Sequence, residues 1–182
     1  MESPTIINLM RSMKVDCVIP LEEVHHSHKN ISKLYRGRPE MLMMKMVNGR
    51  NVQCFRAGRV QILGRISDEE AESMRLEFIG KLRLIEKMQH AQITKMTVSN
   101  LVMSAQLKKN LYLRKIALTD SDVFHEIELF PAALIQKWHP IHIALFHTGK
   151  VILTGLKSVN QFYEIMSTLH DFLEKSHFFI QK

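Results

Sequence analysis

Residues 55–67 read FRAGRVQILGRIS, and residues 146–158 read FHTGKVILTGLKS. The second stretch repeats the first at a constant offset. Phe55 matches Phe146, Gly58 matches Gly149, Val60 matches Val151, Gly64 matches Gly155 and Ser67 matches Ser158, while Arg59 and Lys150 keep their charge. A repeat of this length sets the architecture before any single element does. Each copy reads as strand, glycine turn, strand, glycine and helix start, with glycine placed where the backbone must take a positive φ. Ser67 is followed by Glu70 and Ser158 by Gln161, which is the capping-box spacing in both copies. The run after each has helical spacing: Ala71, Met74, Phe78, Leu82 and Ile85 in the first copy, and Phe162, Ile165, Leu169 and Phe172 or Leu173 in the second.

Upstream, Asn8-Leu9-Met10 and Asn100-Leu101-Val102 each open an apolar strand, and short helices are expected over residues 21–26 and 113–118. Hairpin strands follow. Residues 41–47 and 50–56 flank Asn48-Gly49, a pair that predicts a type I′ turn. Residues 133–138 and 141–146 flank His139-Pro140. Each half thus reads strand, short helix, four strands, long helix. The fold class is α+β, built from two tandem repeats, 1–90 and 91–182, with each long helix covering its own sheet.

The 182-residue chain is 46% hydrophobic and carries a formal charge of +7, enough for a sizeable core and a mild bias toward polyanionic partners. Between Lys29 and Arg65 stand Lys29, Lys33, Arg36, Arg38, Lys45, Arg50, Arg56, Arg59 and Arg65 against Glu40 alone, and Asp68, Glu69, Glu70, Glu72 and Glu77 follow. That pattern suggests two faces with different partners, or simply a solvated surface. Twelve methionines point to core filling or to a plastic contact surface. Cys17 and Cys54 lack any paired spacing, so neither a disulfide scaffold nor a zinc site is expected. His25, His26 and His28 have no carboxylate or cysteine at ligand spacing, so no metal or other cofactor is expected. No catalytic motif is visible, and neither is a signal peptide or membrane span; a soluble intracellular protein is expected.

The stretch Glu126-Ile127-Glu128-Leu129-Phe130-Pro131 is similar to the EPELFP stretch of the TATA-box-binding protein family. Residues 146–155 resemble that family's F-x-S-G-K-x-V-L-T-G block, and the likeness runs from about Asn8 to Phe172. The resemblance implies a pseudo-twofold saddle: one curved antiparallel sheet, helices on the convex side, and a concave side that grips the DNA minor groove. It implies a nuclear transcription factor that nucleates preinitiation complexes with factors IIA and IIB. It also implies site residues. Phe130 and Phe146 match the second-repeat wedge pair, and Phe55 matches one first-repeat wedge, with Arg38 at the other. Asn8 and Asn100 match the central asparagines, which donate to base acceptors. Met10, Val102, Ile152 and Thr154 match further groove contacts. Arg59 and Lys150 match basic positions near phosphates, and Glu126 and Glu128 match the acidic pair that meets factor IIB. Gln53, Gln61, Leu63 and Ala144 depart from the family pattern, so altered TATA specificity is expected. The alternative is a protein-interaction module that keeps the fold and has lost DNA binding.

Overall fold

The computed structural model describes residues 3–175 and 177–180. Contacts divide the chain into two compact units, one of Leu9–Ser99 and the other of Met1–Asn8 with Asn100–Lys182. The element order is β1 (Thr5–Lys14), α1 (Leu21–Ser27), β2 (Ser32–Tyr35), β3 (Met41–Lys45), β4 (Asn51–Phe55), β5 (Arg59–Leu63) and α2 (Asp68–Arg83). A short 3-10 turn at Glu86–Met88 follows. The series then repeats as β6 (Thr97–Gln106), α3 (Leu113–Thr119), β7 (Val123–Phe124), β8 (Ala132–Ile135), β9 (His142–Phe146), β10 (Lys150–Leu156) and α4 (Val159–Lys175). The α+β class and the repeated order are those expected from the sequence.

In the first unit the strand order is β2-β3-β4-β5-β1, with antiparallel pairing. Leu42, Met44, Val52, Cys54, Val60 and Ile62 face one side and join Ala71, Met74, Phe78 and Leu82 of α2 in a single core. Their period of two on the strands and of three to four on the helix is what brings them together. In the second unit the order is β6-β10-β9-β8-β7, and Phe162, Ile165, Leu169 and Leu173 are the buried side of α4. Phe172 is only half-buried, so Leu173 is the core position. Each fully buried Leu or Phe contributes about 1.5–3 kcal/mol relative to an exposed one.

The two units share a second signature. The chain leaving β1 is tied to the β4–β5 turn by Val15 N–H to Gly58 O at 2.8 Å and Ile19 N–H to Arg56 O at 2.9 Å. The chain leaving β6 is tied to the β9–β10 turn by Leu107 N–H to Gly149 O at 2.9 Å and Leu111 N–H to His147 O at 2.8 Å.

Two local expectations need correction. The Asn48-Gly49 turn is not type I′. Gly49 alone has positive φ, at 81°, and Gly49 N–H donates to Met46 O at 2.9 Å. That is a three-residue loop, a type I turn closed by a left-handed glycine. It is held from outside, because Val47 N–H donates to Glu77 and Asn48 Nδ2 donates to Glu70 at 2.9 Å. For the same reason the first capping box is half made. Ser67 Oγ accepts from Glu70 N–H at 3.1 Å, but the Glu70 carboxylate is turned to the loop. In the second repeat Ser158 Oγ accepts from Gln161 N–H at 3.2 Å, and Gln161 Oε1 reaches one residue past the cap to accept from Lys157 N–H at 2.8 Å.

Arg11 is the one charged side chain buried among the described residues, on the covered face of β1. Its Nη2 donates to Asp68 at 2.6 Å, while Nη1 has no partner. Asp68 is almost fully exposed, so water weakens the pair. Breaking a buried ion pair normally costs several kcal/mol, whereas an apolar replacement is often neutral. Arg11→Met is therefore expected to stay within about 1 kcal/mol of the parent chain in urea unfolding. A loss well beyond that range would show that the guanidinium organises the α2 start.

Candidate functional site

In each unit the strands have one face under the long helix and one face open. Strand register fixes the open faces row by row. In the first unit one row runs Lys33, Met43, Gln53, Gln61, Ser12, and Gln53 and Gln61 stand directly opposite each other. A second row holds Tyr35, Met41 and Phe55. Met10 faces Leu63 on the same side. In the second unit the corresponding row runs Ser104, Ile152, Ala144, Leu134, Phe124. Val102, Thr154 and His142 form a parallel row, and Lys150 faces Gln106. One face is mixed and polar; the other is apolar apart from its rim.

The expected wedge pair comes together in the second unit. Phe146 ends β9, and Phe130 lies in the turn before β8. Their rings meet edge to face, with centroids 6.1 Å apart at 65°, and Phe130 remains 44% exposed. The Glu126 carbonyl accepts from Leu129 N–H at 3.0 Å and Phe130 N–H at 2.9 Å. That tight turn presents Glu126, Ile127, Glu128 and Leu129 to solvent, Ile127 at 67% and Leu129 at 80% exposed. The acidic pair was expected there. The exposed apolar pair around it was missed, although an isoleucine inside a surface turn is itself a signal.

Asn100 is anchored rather than free. A register shift between Thr154 and Leu156 takes Gly155 out of the β6–β10 ladder. Asn100 Oδ1 accepts from the stranded Gly155 N–H at 2.9 Å. The acceptor end of the amide is thereby committed, which leaves Nδ2 as the donor end. This orientation suits the donor role expected of it. Asn8 lies on β1 and is exposed.

In the first unit the expected wedge is covered. The Arg59 guanidinium lies over the Phe55 ring, 4.2 Å from its centroid, a cation–π contact. Pro39, Glu40, Arg56 and Ala57 line the shallow cleft around the two, and Arg38 is exposed. Arg59 is thus committed to an aromatic partner as well as being a basic group.

The basic and acidic blocks are not segregated onto separate faces. Arg56 bridges Glu22 at 2.8 Å and Glu40 at 2.7 Å, and Arg50 lies 3.6 Å from Glu70. The Glu22 carboxyl is held below its usual range, first by its own backbone N–H and then by Arg56. On α2, Glu72 pairs with Arg75 and Glu77 with Lys81. Cys54 is fully buried and its thiol is pushed up to about 12 by that burial. Cys17 is exposed, and its thiol is raised by partial burial and then by Asp16. Among the described residues, no group of three or more His, Cys, Asp or Glu side chains is placed to hold a metal ion. No helix among them is long and apolar enough to cross a membrane.

The family model described as transcription factor TFIID, or TATA-binding protein, matches residues 95–176. The TATA-box-binding protein of Methanocaldococcus jannaschii is 31% identical over 156 residues, which cover 84% of this chain and 84% of that protein. The TATA-box-binding protein of Schizosaccharomyces pombe is 22% identical over 175 residues, covering 94% of this chain and 74% of that protein. The solved structure of the Methanococcus jannaschii protein superposes with a TM-score of 0.75 at 28% identity, over 96% of this chain and 99% of that one.

Proposed function

Because this chain belongs to the TATA-box-binding protein family of transcription factors, we propose that it binds promoter DNA through the minor groove and nucleates preinitiation complexes. The observation that carries this reading is the Phe130–Phe146 pair, Phe130 exposed and Phe146 half-buried, at the edge of a mostly apolar strand face. Apolar wedges that unstack base steps and kink the duplex are the family's own known mode. The groove floor at A·T pairs offers acceptors only, which suits a dry face and a few donors such as the Asn100 amide. Val102, Ile152 and Thr154 line the second repeat, Asn8, Met10 and Phe55 serve the first, and Arg59 and Lys150 lie toward the phosphates. Glu126 and Glu128 offer an acidic edge to a factor of the IIB class, with Ile127 and Leu129 as apolar contacts. The first-repeat helix α2, the side this reading gives to factor IIA, carries the acids Glu69, Glu70, Glu72 and Glu77, of which Glu70, Glu72 and Glu77 engage Asn48, Arg50, Arg75 and Lys81, so that contact is changed. The place of action is the nucleus, and the repeats are taken as 1–90 and 91–182.

Binding to an A·T-rich duplex, read as a mobility shift with minor-groove footprinting, tests the reading. Absence of protection on every A·T-rich site, with factor IIA present or not, would defeat it. A phosphate role for Lys150 makes a further expectation. Lys150→Gln should weaken binding evenly across sequences and reduce the slope of log affinity against log salt by about 1. An unchanged slope would remove Lys150 from the phosphate contacts.

The second reading, a protein-interaction module, is favoured by one observation: the Arg59 guanidinium lies over the first-repeat wedge. It requires that partner capture survive when both second-repeat wedges are removed.

A further inference from the structure

The open face of the first unit carries a feature the fold does not need. Gln53 and Gln61 are cross-strand partners at the centre of that face, half-buried, with Ser12 beside them. Neither amide has a hydrogen-bond partner among the described residues. In strands, glutamine has no advantage over the β-branched residues that would pack there. The equivalent positions of the second unit are Ala144 and Ile152, also cross-strand partners. The same sheet position is thus amide in one repeat and aliphatic in the other.

The difference has a direct chemical consequence in a minor groove. A·T and T·A present acceptors there, whereas G·C adds the guanine N2 amino donor. An aliphatic face that covers this amino group leaves a buried donor unpaired, which is costly. A glutamine amide offers both signs. Its Nε2 donates to adenine N3 or thymine O2, and its Oε1 accepts from guanine N2–H. Resting on the minor-groove reading above, we propose that the chain recognises a composite site: A·T only under the second unit, and G·C accepted under the first, with Gln53 and Gln61 as the residues that set this tolerance.

Selection from duplexes with a randomised core tests the inference, with the full chain carrying a tethered iron chelate for strand cleavage. The chelate is placed on Cys17, since Cys54 is buried. Cys17 marks the first unit, because its carbonyl oxygen lies beside the β4–β5 turn at Gly58. The expected pool has A·T confined to the half remote from the cleavage, and mixed base pairs in the half beside it. In single duplexes, one G·C pair should cost about tenfold or more under the second unit and under about threefold under the first. Gln53→Val with Gln61→Val, a change on an open strand face, should raise the first-unit cost to about tenfold as well. A pool confined to A·T in both halves overturns this inference and leaves the minor-groove reading standing. So does a double variant that melts like the parent and keeps the parent's tolerance. A pool with no enriched duplex overturns both.

Discussion

Phe130→Ala combined with Phe146→Ala is expected to weaken binding to an A·T-rich duplex by more than about a hundredfold while the fold stands. Removing an aromatic that stacks on a base costs about 1–3 kcal/mol, so two such contacts cost about 2–6 kcal/mol, and the middle of that range, about 4 kcal/mol, passes a hundredfold. The bend depends on the same groups, since unstacking at the wedge is what lets the duplex wrap the protein. Fluorescence anisotropy reads the affinity and energy transfer between labelled duplex ends reads the bend; both should fall together. Phe130 is 44% exposed, so its truncation touches little of the core. Phe146 is half-buried, so its truncation should cost less than the roughly 3–5 kcal/mol of a fully buried phenylalanine. A matching melting curve separates the two effects. Phe55→Ala is the internal comparison, and its effect should be several times smaller, because Arg59 already lies over that ring. A folded double variant that binds and bends DNA like the parent would move the function to the protein-interaction reading.

How much of this was legible in the sequence follows from what each signal depends on. The repeat, the helix starts and the core faces rest on local spacing, and residues such as Ser67, Phe78 and Phe162 stand where spacing places them. The type I′ turn was misjudged because its conformation is settled by distant groups: Glu70 and Glu77 of α2 hold the loop. The same diversion left the first capping box half made. The Arg59–Phe55 stack and the Asn100–Gly155 bond join neighbouring strands, and no pattern within one strand announces either. Gln53 and Gln61 were visible as departures from a family pattern. Only strand register made them a facing pair, and only then does their chemistry acquire a direction.

Gly149→Ala is expected to destabilise the chain by about 2–4 kcal/mol, a fall in melting temperature on the order of 10 °C. Gly149 has φ of 83°, in the left-handed region. That conformation alone costs a non-glycine residue about 1–2 kcal/mol. Space adds a second cost. A Cβ at this position would lie 2.5 Å from Lys109 O and 3.0 Å from Leu107 O, both backbone atoms that no rotamer change can move. Relief requires the chain after β6 to back away from the turn, which strains the Leu107 N–H to Gly149 O bond. A typical intramolecular hydrogen bond contributes about 1 kcal/mol. Gly58 meets the same obstacle in the first unit from Val15 O and Cys17 O, which explains why the two quoted stretches share this glycine. Gly49 supplies the control. Its φ of 81° matches, yet nothing lies within 4 Å of its added Cβ. Gly49→Ala should therefore show the conformational cost alone, about 1–2 kcal/mol. Equal losses for Gly49→Ala and Gly149→Ala in urea unfolding would remove the close approach of the two backbones as the reason for the repeated glycine.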